Sequence, residues 1–288
     1  MLGKVDAKAI ATKLSLERAF VASSEPAAHD KNEVGQPTDS HNYPSGWTTM
    51  EPYPVEWDDL LRLYALLRLR RITTVLEFGC GYSTALMAYA LSENDRDLGS
   101  MVRRELRRSN AFQVHLVDDV PKFMDITRRR LPDESLKRVN FTHATVRMST
   151  FSGRICTEYE TLPNVCPDFI YLDGPDQHQV EGAVNGISTR HFDRWPMACD
   201  ILKIEHFLLP GTLILVDGRT ANARFLKANL QREWRYEHDV DGDVHYFEMI
   251  EEPLGKWNRR QIELCLGADW RAKPLRPDYT QLTSLIAR

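Results

Sequence analysis

The sequence predicts a doubly wound α/β fold: a mostly parallel, seven-stranded sheet with an antiparallel edge hairpin and an N-terminal helical extension. Three observations predict it. Short aliphatic and β-branched runs alternate with helical patterns from residue 73 to residue 230. The first of these runs ends in a glycine-bearing turn, Gly79-Cys80-Gly81, followed by a Ser-Thr helix start. The last two runs, 234–238 and 244–249, are joined through Asp241-Gly242 at hairpin spacing.

Taken in order, residues 4–22 carry an amphipathic pattern and predict a helix. Residues 23–54 run through Ser, Pro, Asp, Asn and Gly with little periodicity and read as an arm, lid or linker. Within it, Tyr43-Pro44-Ser45-Gly46-Trp47 and Tyr53-Pro54 would bring aromatic surface to a cleft edge or simply pack the arm. Leu60, Leu61, Leu63, Leu66 and Leu67 predict an apolar helix over 58–70. A strand at 73–78 leads to a helix at 83–91 and a polar helical insertion at 95–108. A strand at 112–117, a helix at 121–130 and a strand at 139–143 follow. A hairpin spans 146–159 around Ser152-Gly153. Then come a strand at 169–172, a helix at 197–207, a strand at 212–216, a helix at 221–230, the two closing strands and a helix at 259–266. The implied division is an N-terminal helix and arm (1–54), a ligand-binding α/β domain (55–252) and a C-terminal helical tail (253–288).

Composition excludes several classes. The 288 residues are 42% hydrophobic and 27% charged with a formal charge of -4, which argues against nucleic acid as a partner. The basic runs, Arg103-Arg104 with Arg107-Arg108 and Arg128-Arg129-Arg130, sit near acids at helical spacing and read as solvated faces. The five cysteines form no CxxC pair, so neither a zinc knuckle nor a disulfide framework is expected. No apolar run approaches the ~20 residues that cross a bilayer, and residues 1–20 lack a signal-peptide core. A cytoplasmic protein without a membrane partner is the expectation, and a homo-oligomer stays open.

Doubly wound sheets bind ligands beyond the C-terminal ends of their strands. Those ends carry Glu77 with Gly79 and Gly81, then Asp118-Asp119, then Asp173-Gly174-Pro175-Asp176 with His178, and finally Asp217-Gly218-Arg219. Acids at four strand ends point to one shared cleft. Glu77, just before the first glycine, would repel a pyrophosphate and pair with a cation such as an α-ammonium group. Thr84 stands where a dinucleotide-binding turn has its third glycine, and Asp118 lies farther along than the ribose acid of that turn.

The arrangement resembles the class I S-adenosylmethionine-dependent methyltransferases, of an uncharacterised bacterial small-molecule or glycan type. Their first motif, an acid, any residue, Gly, any residue, Gly and a small or polar residue, is met by Glu77-Phe78-Gly79-Cys80-Gly81-Tyr82-Ser83. Later matches are Val114-His115-Leu116-Val117-Asp118, the run from Asp168 to Pro175, and the run from Leu209 to Asp217. Together they cover roughly residues 73–250, in the family's order.

The resemblance implies S-adenosylmethionine as cofactor, held by Glu77, Gly79, Cys80, Gly81, Ser83 and Asp118. Glu77 would anchor the α-ammonium group, the glycines would admit the methionine portion close to backbone, and Asp118 would accept from the ribose hydroxyls. The acid usual after the strand at 139–143 is absent from Thr142-His143-Ala144-Thr145, which leaves adenine to the 146–150 segment. Asp173, Asp176 and His178 are the catalytic candidates. Asp173 and Asp217 also fall where metal-dependent O-methyltransferases of this fold keep two magnesium ligands, although Gly218 replaces the usual third. A metal-free course would make His178 the base with Asp173 orienting it; His178 as a solvent-facing loop residue is the plain alternative. Arg219 would pair with an anionic substrate or with Asp173, and His206 reads as a packed or exposed helix residue. The acceptor expected is a small molecule or glycan, methylated at a hydroxyl. A nucleic-acid methyltransferase lacks support from an Asn/Asp-Pro-Pro-Tyr motif. A non-catalytic binding protein and a nicotinamide-dependent oxidoreductase are the remaining alternatives.

Overall fold

The computed structural model describes residues 6–21, 55–191 and 193–282. The aromatic residues expected in the arm at 43–54 lie outside them. Among the described residues nine strands form: β1 (Thr74–Phe78), β2 (Gln113–Asp118), β3 (Val139–His143), β4 (Val146–Phe151), β5 (Arg154–Tyr159), β6 (Phe169–Leu172), β7 (Leu213–Asp217), β8 (Trp234–Asp239) and β9 (Val244–Met249). Seven of them make one sheet in the order β3-β2-β1-β6-β7-β9-β8. The first five are parallel, whereas β9 runs antiparallel to both β7 and β8. The predicted fold class holds. Central strands are apolar on both faces, and all five residues of β1 are buried, as a sheet covered on both sides requires.

Helices α1 (Ala7–Lys13), α2 (Trp57–Leu69), α3 (Tyr82–Glu105) and α4 (Pro121–Arg130) precede the short α5 (Asp133–Leu136). They are followed by α6 (Asp200–Ile204), α7 (Thr220–Asn229) and α8 (Gly255–Cys265). One core joins Leu16, Leu63, Leu67, Ala85, Leu91, Met124 and Leu264 to the sheet residues Val75, Leu116, Phe169 and Leu215. The other joins Phe78, Val117 and Ile214 to Val146, Tyr159, Leu202 and Leu226. The described N-terminal turn and the C-terminal helix therefore share the first core with the sheet.

Four sequence expectations are corrected. The helix expected over 4–22 is α1 followed by a short 3-10 turn at Leu16–Ala19, because Ser15 takes a left-handed conformation (φ 54°) and turns the chain. The two helices expected at 83–91 and 95–108 are one, α3, of 24 residues. The polar run that suggested a break is used inside the helix. Asn94, fully buried, donates to the carbonyls of Leu67 and Ile72 and accepts from Arg68, while Asp97 pairs with Arg68 at 2.7 Å. The helix expected from 197 begins at Asp200, because residues 197–199 pair with β5: the Thr157 amide donates to Met197 and the Cys199 amide to Thr157. Finally, α8 starts at Gly255 rather than 259.

Where a crossover helix would lie between β3 and β6, the chain has the β4–β5 hairpin. It closes through Ser152 (φ 48°) and Gly153 (φ 76°), both left-handed as a two-residue I′ turn demands. At the opposite edge, the buried Asp168 carboxylate fastens the start of β1 and α8 to β6. It accepts from the Thr73 amide (3.0 Å) and hydroxyl (2.7 Å), the Thr74 amide (2.7 Å) and Gln261 (3.3 Å).

Asp168→Asn turns an acceptor into a donor facing two amides. It should cost about 2–4 kcal/mol, the scale of a charged multi-bond acceptor left mismatched in the interior. Urea unfolding of the two proteins checks it.

Candidate functional site

The sheet register builds the site. Phe78 is level with Val117 on one side and Leu172 on the other, and Leu172 is level with Val216. One residue farther on, Gly79, Asp118, Asp173 and Asp217 therefore form a row across the ends of β2, β1, β6 and β7. This row spans the switch in strand order between β1 and β6, where open α/β sheets bind ligands. The register alone brings the sequence-predicted acids together.

Two backbone segments meet at the centre of the row. The Asp173 amide donates to the Phe78 carbonyl (3.0 Å) and the Gly79 amide to Val117 (2.9 Å). Gly79 is left-handed (φ 99°), and a Cβ there would press on the Asp173 carbonyl at 3.3 Å. Gly174 is tighter: a Cβ would stand 2.7 Å from the Gly79 nitrogen and 2.9 Å from both the Phe78 carbonyl carbon and the Tyr159 hydroxyl. Gly81 differs from both. Its backbone is extended (φ 171°) and a Cβ would meet nothing within 4 Å. Neither conformation nor packing calls for glycine there, and the space over it is open.

Glu77 is 1% exposed, and its carboxylate accepts from the Ser83 hydroxyl (2.5 Å) and the Thr84 hydroxyl (2.7 Å). Thr84 in turn accepts from the Gly81 amide (3.1 Å), so it braces the loop where a third glycine would leave a gap. Burial pushes Glu77 up to about 8 against the pull of those two hydroxyls, and the Asp173 and Asp118 charges add to the rise. Cys80 turns its thiol to Asp118 and Thr127; burial and the Asp118 charge push that thiol up, which keeps it protonated. What the loop offers a ligand at Cys80 is thus backbone.

Asp118 is buried, accepts from the Val120 amide (2.7 Å), and is raised chiefly by burial. Its neighbour Asp119 is pushed up to about 7 by burial and by the Asp118 charge, and one of its oxygens has no partner among the described residues. The Tyr159 hydroxyl, without a hydrogen-bond partner among the described residues, stands against Gly174.

Asp173 is 54% open at its side chain, yet stands in a recess crowded by protein. The protein crowded around it pushes Asp173 up to about 6 against the pull of Arg219. Arg219 donates to the Asp173 carbonyl (2.7 Å) and the Pro175 carbonyl (2.9 Å) and lies 3.7 Å from the Asp173 carboxylate. It is a clamp on this loop, so of its two expected partners the protein supplies Asp173. Asp176 accepts from the His178 amide at 2.6 Å, an Asx turn that shapes the loop, and His178's ring contacts Gln177 at 3.2 Å. His206 is exposed near Gln231, away from the row.

Asp217 accepts from the Tyr171 hydroxyl and is pushed up to about 7 by burial, Asp173 and Asp59, with Tyr171 and Arg62 opposing. Asp173 and Asp217 do not fit magnesium as they stand. Each is engaged by a donor of the chain, Gly218 adds no side chain, and among the described residues no three His, Cys, Asp or Glu groups converge to hold a metal.

Sequence reasoning named Asp119 among the strand-end acids without giving it a role, and it missed Tyr171, Asp59 and Arg62. Tyr171 carried a signal: two residues before Asp173 in a strand, it faces the same side. Asp59 and Arg62, paired at 2.7 Å, come from α2 and carried none.

Gly174→Ala should destabilise the protein by about 1–3 kcal/mol, since backbone must move, whereas Gly81→Ala should leave the thermal midpoint unchanged. For Glu77, the folded pKa near 8 exceeds the unfolded 4.5. The folded state therefore keeps a proton that the unfolded state releases between those values, and Glu77's contribution to stability falls as pH rises through that window. Relative to Glu77→Gln, the natural protein should lose stability between about pH 5 and about pH 8 in denaturant titrations.

No family model and no curated protein matches the chain. Among solved structures it is similar to an O-methyltransferase of Streptomyces achromogenes involved in tomaymycin synthesis, in complex with S-adenosylmethionine. That match has 14% identity, covers 69% of this chain and 82% of the other, and has a TM-score of 0.38. It is similar also to an O-methyltransferase of Bacillus cereus in complex with S-adenosylhomocysteine, at 14% identity, 72% and 86% coverage and a TM-score of 0.39. A methyltransferase of Podospora anserina bound to S-adenosylhomocysteine matches at 15% identity, 87% and 99% coverage and a TM-score of 0.38. Likenesses this distant leave the function to be argued from the chain's own residues.

Proposed function

We propose that the protein is an S-adenosylmethionine-dependent methyltransferase that acts on a hydroxyl of a small molecule or glycan. The observation that carries the reading is the open space over Gly81, in the loop that joins β1, which carries the buried Glu77, to α3. A glycine that neither its backbone angles nor its protein neighbours require is explained by a ligand lying against it. The groups around that space select the ligand. Acids suit an ammonium group and a ribose diol, and they oppose a pyrophosphate, so the dinucleotide reading has no support here.

Glu77, the Gly79–Gly81 backbone, Ser83 and Asp118 would hold the cofactor, with Asp119 beside the ribose acid. An ammonium group arriving near Glu77 would favour its ionised form and draw off the proton that burial keeps on it. Bound there, S-adenosylmethionine supplies an electrophilic methyl group on a sulfonium. Asp173 is the chain's best-placed base: exposed, in the row, and ionised above about pH 6. It accepts the proton of the acceptor hydroxyl as the oxygen takes the methyl group, and later gives it to water. Arg219 fixes the Asp173 backbone, and Asp176 shapes the loop that carries His178. Because Asp173 and Asp217 do not fit a magnesium site, no step is assigned to a metal. The formal charge of -4 accords with a small acceptor rather than a nucleic acid, and among the described residues no helix is long and apolar enough to cross a membrane.

Calorimetry with S-adenosylhomocysteine tests the reading: the intact protein should bind it, and Gly81→Val should not. Failure of the natural protein to bind would remove the reading. Asp118→Ala should weaken binding about tenfold or more, the scale of a lost charged hydrogen bond. Asp173→Asn should keep that affinity and abolish turnover; activity should otherwise rise with pH through about 6.

A further inference from the structure

Two of the cysteines, unrelated by spacing in the sequence, are brought together by the fold. The Thr157 amide donates to the Met197 carbonyl and the Cys199 amide to the Thr157 carbonyl, both at 3.0 Å, so Thr157 and Ala198 stand level in a parallel pair. Side chains alternate along paired strands. Cys156 and Cys199, one residue to either side of the level pair, therefore share the face opposite to Thr157. Both are free thiols, 2% and 0% exposed, in the core that also holds Tyr159 and Leu202. The Cys199 thiol donates a hydrogen bond to the Cys156 sulfur. That bond pulls Cys156 below the ordinary thiol value against burial, and the Lys203 charge pulls the same way. Cys199 is pushed up by the same bond and by burial. Lys203 pairs with Glu158, and its side chain is 41% exposed, so water comes close to the pair.

The two thiols sit at a joint. Cys199 is the N-cap of α6, and the next residue, Asp200, is 1% exposed and accepts from the Tyr159 amide at 3.0 Å. The other Asp200 oxygen is buried without a partner among the described residues. The Tyr159 ring packs on Phe78 with centroids 5.8 Å apart, and its hydroxyl stands against Gly174 at the centre of the row. The Asp200–Tyr159 bond thus links the cysteine pair to the contact between the ends of β1 and β6. Thiols placed diagonally across paired strands need a backbone shift before their sulfurs can bond. That shift falls on the short segment at Cys199, because β5 is held by β4 over six residue pairs.

We propose that Cys156 and Cys199 form a reversible oxidation site, in which a disulfide draws the start of α6 toward β5 and loosens Tyr159 beneath the row. The oxidant is a hydroperoxide, small enough to reach the pair beside Lys203. The Cys156 thiolate attacks one peroxide oxygen, the O–O bond breaks, and the departing hydroxide takes up the proton that Cys156 gave. The Cys199 sulfur then attacks the sulfenic sulfur of Cys156. The S–S bond forms, the S–O bond breaks, and the leaving hydroxide takes the Cys199 proton. Two thiols and one hydrogen peroxide give one disulfide and two waters, and a dithiol reverses the change. The site does not depend on which ligand the row holds.

The test treats the full chain with hydrogen peroxide, maps disulfide-linked peptides by mass spectrometry, and measures amide hydrogen exchange before oxidation, after it, and after a dithiol. The natural protein should give a peptide that links Cys156 to Cys199. Exchange across residues 157–159 and 173–175 should speed up about tenfold, the scale of one lost hydrogen bond to a carboxylate, and should return on reduction. Cys199→Ser should match the reduced natural protein and show neither the link nor the faster exchange under peroxide. Cys156→Ala serves in its place if the serine variant does not fold. Absence of the linked peptide, or a link that leaves exchange at 157–159 and 173–175 unchanged, would overturn the proposal.

Discussion

The contact of bare backbone on bare backbone at the ends of β1 and β6 is the constraint on which the site depends. Gly174 lies so close to Phe78 and Gly79 that neither strand end can shift without the other. The Asp173 amide and the Phe78 carbonyl lock the two segments together. Because parallel strands register residue by residue, this one contact fixes the height of Gly79, Asp118, Asp173 and Asp217 in a common row. Arg219 then secures the far side of the loop through carbonyls rather than through the exposed carboxylate.

The charge balance of the row explains much of its chemistry. Burial raises Glu77, Asp119, Asp173 and Asp217, and the acids raise one another because few cations face them. Such a cleft is poised for a cation and hostile to phosphate. Hydroxyl donors offset part of the cost: Ser83 and Thr84 hold Glu77, and Tyr171 holds Asp217. Thr84 serves twice, since its hydroxyl also receives the Gly81 amide. The residue that departs from a dinucleotide fingerprint is therefore the one that ties the acid to the loop.

Support for the row comes from both faces. The Asp168 network clamps the N-terminal edge of the sheet, where β1, β6 and α8 meet. On the other face, Asn222 of α7 exchanges two hydrogen bonds with Ala198 at 3.0 and 3.1 Å, while residues 197–199 also pair with β5. The long segment that returns from Asp173 is thus tied at its end to both the hairpin and α7.

The sequence by itself determined the strands, their alternation with helices and the identity of the acids at strand ends. These are local properties: aliphatic runs, glycine turns and caps act over a few residues. Val139–His143 and Phe169–Leu172 have the bounds that the pattern predicts, and the hairpin turns at Ser152-Gly153 as its composition requires. Where the pattern failed, a distant partner had overridden it. Asn94 continues a helix because Arg68 and the α2–β1 turn satisfy its amide, and residues 197–199 stay extended because β5 offers hydrogen bonds. Strand order, the engagement of Asp217 by Tyr171, the emptiness over Gly81 and the meeting of Cys156 with Cys199 were decided only by tertiary structure. Each depends on groups far apart in the chain, and the energy that selects them, burial and long-range hydrogen bonding, exists only once the sheet is closed on both faces.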